Sequence, residues 1–185
     1  MLEVKEINKD VYYVTSSSHK ELCNALMRCQ EYYENPIFKG TCFTREDILD
    51  WNKREFKESY YKTWAGFNLP ILTLNILRTK RFQPLYKEEK LLLKLLKSIK
   101  KGYIIGVSKP ALKEFPTALD HEYVHALTYT NKKFNKKCLE VIKSYDFKKE
   151  RKRLAKSYDK SVIEDEIIAY LTIYIIWYFT WWLCW

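Results

Sequence analysis

Apolar positions along this chain recur mostly at helical spacing, broken by two short runs dense enough for β-strands. Val11 to Val14 (VYYV) and Tyr103 to Val107 (YIIGV) are those runs. Ser18-x-x-Glu21 reads as a capping box that opens a helix toward Tyr33. That helix must stop before Asn35-Pro36, because the residue preceding a proline avoids the α region. Thr44, followed by Arg45, Glu46 and Asp47, caps a second helix through about Phe56. The stretch Tyr60 to Pro70 (YYKTWAGFNLP) predicts an ordered loop whose rings pack on the core.

The second half is more regular. From Pro84 to Lys101, Leu91, Leu92, Leu95, Leu96 and Ile99 fall on one helical face with Lys on the other, and Gly102 closes the helix. Pro116 and Thr117 open the next helix, a basic helical segment spans about Asn135 to Lys156, and a last helix starts near Val162. No internal repeat or low-complexity linker interrupts this order. The expected architecture is a mostly helical α+β fold in one domain, 1–185, with a small sheet beside metal-binding helices in 111–185. With only 4 Gly, the composition argues against a turn-rich all-β sandwich and for long helices with few tight turns.

Charge and cysteine change this picture little. The net charge of +10 would suit a nucleic acid or an anionic membrane surface, but it is read first as a solvated Lys-rich surface. The 5 Cys form no CxxC pair, which predicts free thiols in a reducing compartment. The first twenty residues are too polar for a signal peptide, so a cytoplasmic location is expected.

Chemistry concentrates in one helix. Residues 120–127 read DHEYVHAL, so two of the protein's 3 His lie four residues apart, on one helical face. His121 and His125 can therefore converge on one ion, and Zn²⁺ favours imidazole nitrogen in a tetrahedral shell with one open position. Glu122 is too close in sequence to complete the shell but is placed to act as general base toward a water activated at the metal. A third ligand is needed, and VIEDEIIAYL (162–171) offers Glu164, Asp165 and Glu166 at the start of an apolar helix. A carboxylate buried there must be paired or bind a cation.

HExxH followed by a helix-borne Glu resembles the gluzincin branch of the zincin metallopeptidases. In small and membrane-embedded members the ligand Glu is often followed by Ala at the third position. Glu166 has Ala169 there and Glu164 has Ile167, so the resemblance implies Glu166 as ligand and Glu164 as fallback. Many gluzincins carry Asp or Asn four residues after the ligand to steady the first His; here that position is Tyr170, which moves the role to Asp165 or Asp120 or removes it. HExxH-Ala-Leu-x-Tyr, a later Asp-Glu-Ile-x-Ala-Tyr, Phe82-x-Pro-Leu and Trp64-x-Gly-Phe also resemble a group of small, uncharacterised prokaryotic HExxH proteins. That likeness covers most of the chain and brings no activity with it.

The resemblance implies a zinc-dependent hydrolase, expected to be a metallopeptidase acting on a peptide or protein. Tyr103 to Val107 would be the edge strand that aligns the substrate. Tyr123, Tyr129 and Tyr170 would be the candidates to stabilise an oxyanion. The alternative is a weak or inactive zincin-scaffold regulator with a basic face toward nucleic acid or membrane. For that face, Lys148 to Lys156 (KKERKRLAK) is read first as the exposed side of a connecting helix and second as a phosphate contact. His19, beside a helix start, is read as a surface residue. Ile167 to Trp185 carries no charge and is read first as a core helix, then, over 171–185, as a dimer or membrane contact.

Overall fold

The computed structural model describes the backbone of residues 1–183 and the side chains of residues 1–175. It is a mostly helical α+β fold with one four-stranded sheet. Strand β1 (Glu3–Asn8) pairs antiparallel with β2 (Val11–Thr15) through a tight turn in which Asp10 takes a left-handed φ of 60°. After the α1 (His19–Glu34) crossover and a long excursion, β4 (Tyr103–Val107) joins β2 in parallel. Strand β3 (Gly66–Pro70) closes the other side, antiparallel to β4, giving the order β1-β2-β4-β3.

All five residues of β4 are buried, as expected of a strand covered on both faces. Ile104 packs into the large core with Leu22 and Leu26 of α1, while Tyr103 and Ile105 face Ala126 of α6 (Ala118–Thr130). The period-2 alternation of one short strand thus holds α1 and α6 on opposite faces of the sheet. Helices α2 (Arg45–Phe56), α3 (Tyr60–Thr63) and α4 (Lys87–Leu95) enclose the α1 side. There Arg28 lies buried against Glu89, with its Nε 2.7 Å from Oε1, and Arg45 reaches Glu88 at 3.3 Å.

On the other face α6 is braced by α7 (Lys132–Lys143), α8 (Lys148–Leu154) and α9 (Ile163–Leu183). Val124, Ile142, Leu154, Ile163, Ile167 and Ile168 form the second core. A short α5 (Lys109–Glu114), capped by Ser108 at its N-terminus, links β4 to α6.

Several expectations need correction. Tyr60 to Pro70 is not a loop: it forms α3 and β3. Tyr103 to Val107 is not an edge but an interior strand, because β3 covers it. The helix expected over 84–101 is limited to α4, with Leu96 as its C-cap. Gly102 (φ 121°) instead serves the turn into β4. The basic segment is two helices, α7 and α8. Ser18 caps α1 by accepting from the Glu21 N–H, but the Glu21 carboxylate turns to the Ser16 hydroxyl and the N-terminal amine. The reciprocal box occurs at Thr44 and Asp47. Cys23, Cys29, Cys42 and Cys138 are free. Among the described residues no helix is long and apolar enough to cross a membrane. The expected contact over 171–185 lies largely outside the described side chains.

Candidate metal centre

Helices α6 and α9 pack along each other, and at their contact His121, His125 and Glu166 converge. The two Nε2 atoms are 3.2 Å apart; Glu166 Oε1 lies 3.5 Å from that of His125, and Oε2 lies 3.7 Å from that of His121. With metal–nitrogen bonds of 2.0–2.1 Å in a tetrahedral shell, neighbouring donor atoms stand about 3.3 Å apart. The three side chains therefore present one face of such a shell.

The donor chemistry agrees with the spacing. His125 Nδ1 lies 2.7 Å from Asp165 Oδ2, which places the ring proton on Nδ1 and leaves an Nε2 lone pair facing His121. The Thr128 hydroxyl donates to the other Asp165 oxygen. Glu166 is only 2% exposed, yet its Oε2 has no hydrogen-bond partner. A buried carboxylate oxygen without a donor is costly, and a cation between it and two facing imidazole nitrogens removes that cost. Without one, burial pushes the His125 imidazole down, but the Glu166, Asp165 and Glu122 carboxylates outweigh it and hold it up to about 10.

Glu122 occupies the neighbouring position on α6 and is held by β3. Its Oε2 accepts from Asn68 Nδ2 at 2.8 Å, and Asn68 Oδ1 accepts from the Tyr103 hydroxyl at 2.7 Å. Burial raises the Glu122 carboxyl above the ordinary range; Glu166 adds to this, and the two imidazoles oppose it. Gly66 lies directly against the carboxylate, where a Cβ would stand 2.2 Å from Oε1. A loop is what the local sequence predicts here; Gly66 and Asn68, two apart and so on one side of β3, gain their places only through the pairing of β3 with β4.

His121, Glu122, Glu166, Gly66 and Asn68 border a pocket of about 350 Å³, with Glu34, Trp64 and Tyr158 also among its walls. Glu34 is buried, and both that burial and the nearby Glu166 raise its carboxyl well above the ordinary range. Of the three tyrosines considered, only Tyr170 borders this pocket, with its ring 4.7 Å from that of His121. Tyr123 accepts from Asn8 at 2.7 Å, and Tyr129 stacks on Tyr103.

The remaining candidates lie elsewhere. Glu164 faces Arg151, which grips both of its oxygens at 2.8 and 3.1 Å. Asp120 is exposed, so of the two proposed supports only Asp165 meets an imidazole, and it meets the second His instead of the first. His19 is not a surface residue: half-buried, it lies 2.9 Å from the Ser108 hydroxyl and 3.0 Å from the Trp64 carbonyl. Burial lowers its pKa.

The outer side of β3 is mostly closed. The Asn68 N–H donates to Gln30 Oε1 at 2.9 Å, and Pro70 has no N–H. By the alternation of an antiparallel ladder, Gly66 faces the same way as Asn68, which leaves the Gly66 end, beside the pocket, for an extended ligand. Comparison with family models, with curated proteins and with solved structures returns no match.

Proposed function

We propose that the protein is a zinc-dependent hydrolase of peptide bonds. His121, His125 and Glu166 hold the metal and Glu122 is the general base. One observation carries this reading: a buried carboxylate, anchored on Asn68 of a strand that ends at the pocket, sits next to three converging metal-type donors. When bound, zinc polarises the scissile carbonyl and makes an attacking water acidic enough to deprotonate near neutral pH.

The protein's own groups do the rest. Asp165 fixes the His125 tautomer, so that Nε2 is a donor at every turnover. Glu122 takes the proton of the attacking water and passes it to the departing amine nitrogen, so its carboxylate is regenerated. Burial raises its basicity above that of an ordinary carboxylate. Asn68 holds one oxygen still, leaving the other to move the proton. Tyr170 offers a hydroxyl at the pocket wall for the developing oxyanion.

The test is elemental analysis of the purified protein combined with a peptide-hydrolysis assay. We expect one zinc per chain, and Glu122→Gln should lose hydrolysis while keeping the zinc. A protein without stoichiometric zinc overturns the reading. Zinc without hydrolysis leaves a zinc-binding scaffold, the alternative drawn from the sequence.

A further inference from the structure

A second cavity, of about 590 Å³, adjoins the metal pocket, and the two share Trp64, Ala65 and Phe115 as a common wall. It is bounded by the start of α1, by α3 and by α5. Its lining includes the rings of Tyr61, Trp64 and Phe115 and the carboxylates of Glu58 and Glu114, with one cation, Lys62, beside Glu58.

The charges are unevenly matched. Glu58 pairs with Lys62 at 3.7 Å, but Lys62 is 73% exposed and the pair joins successive turns of chain at the surface. Such pairs are weak and readily exchanged. Glu114, exposed at the end of α5, has no side-chain ion pair or hydrogen bond among the described residues, and its charge reaches His19. The ring nitrogens of His19 are taken by the Ser108 hydroxyl and the Trp64 carbonyl, and no ion pair joins it to Glu114. Aromatic faces beside carboxylates suit a flat, weakly hydrated cation: the rings take its face and the acids its N–H groups.

The wall is held from three sides. Trp64 donates its indole N–H to Asn52 Oδ1 at 2.9 Å, its carbonyl lies 3.0 Å from His19 Nε2, and its ring meets Tyr158 edge-on at 6.0 Å. A chain lying at the Gly66 end of β3 would pass this wall with one residue at the metal and a nearby side chain over the second cavity.

We infer that this cavity is a subsite for a cationic side chain, arginine above all, of a peptide whose neighbouring bond lies at the metal centre. Placing a scissile bond at the metal rests on the hydrolase reading; the binding of a cationic peptide does not. Glu114 is its principal specificity residue, with Glu58 supporting it.

The test separates binding from cleavage. Fluorescein-labelled hexapeptides of Ala carry one Arg, Leu or Glu, moved through each position, and their affinities for zinc-loaded Glu122→Gln protein are read by anisotropy. Arg should bind roughly tenfold tighter than Leu in one register, Glu weakest of all, and the preference should fall as salt is raised. Adding Glu114→Gln and Glu58→Gln should erase the difference and leave the Leu peptide's affinity unchanged. Equal binding of Arg and Leu peptides, survival of the preference without the two acids, or no binding of any peptide each overturns the inference. If the preference appears but the unmodified protein cleaves none of these peptides, the subsite stands and the hydrolase reading falls.

Discussion

Gly66 lies so close to Glu122 that a single methyl group on its α-carbon would stand 2.2 Å from the carboxylate oxygen. The base of the candidate site therefore depends on a residue with no side chain, on a strand distant in sequence. Gly66→Ala should push the Glu122 carboxylate off Asn68. We expect hydrolysis to fall on the order of 10²-fold, the usual cost of misplacing a reacting group by about 1 Å. Zinc content should be unchanged, because neither histidine nor Glu166 is touched. Kinetics and metal analysis on the same preparation check this.

Asp165 steadies His125 from behind, at 2.7 Å. Asp165→Asn keeps the shape and removes the charge, and should weaken zinc affinity by about 10- to 100-fold. Competition with a fluorescent chelator measures the loss. Thr128→Val, which deletes only the hydroxyl behind Asp165, should act in the same direction and less strongly.

Glu31 is buried on α1, where it accepts from the Tyr60 hydroxyl at 2.7 Å and from Asn35 Nδ2 at 2.6 Å. Burial outweighs those bonds and pushes its carboxyl up to about 7. A group raised on folding contributes stability that is complete below its unfolded value and is lost as pH rises through the folded one. Stability should thus decline between about pH 4.5 and pH 7 by up to about 3 kcal/mol from this group. Glu31→Gln, which imitates the protonated acid, should be more stable than the parent at pH 8 and similar to it at pH 4.5. Urea denaturation at the two pH values is the measurement.

Arg28 and Glu89 are 4% and 0% exposed, and the Arg28 guanidinium also lies 4.9 Å from the Tyr86 ring. Removing one partner strands the other's charge in the core. Glu89→Gln should destabilise by about 3–5 kcal/mol, and adding Arg28→Met should recover much of the loss. A double-mutant cycle by denaturant unfolding tests the coupling.

What was legible from the sequence is what local geometry dictates. The four-residue spacing of His121 and His125 places both rings on one helical face whatever the rest of the fold does. An acidic triplet opening an apolar helix must likewise turn one carboxylate inward, and Glu166 faces the histidines while Glu164 faces Arg151. The helices over 19–34 and 45–56 follow from caps and from the proline after Asn35, all within a few residues. Strand order is different in kind. YIIGV reads the same at an edge as in the interior, and only the return of Gly66–Pro70 against it decides which it is. For the same reason Gly66, Asn68, Gln30 and the wall at Trp64 acquire their roles only when segments far apart in sequence meet. The sequence by itself thus determined that His121 and His125 share one helical face and offered the acidic triplet at 164–166 for a third donor. The tertiary structure alone decided what positions Glu122 and which cavity lies beside it, because those depend on contacts that no local periodicity encodes.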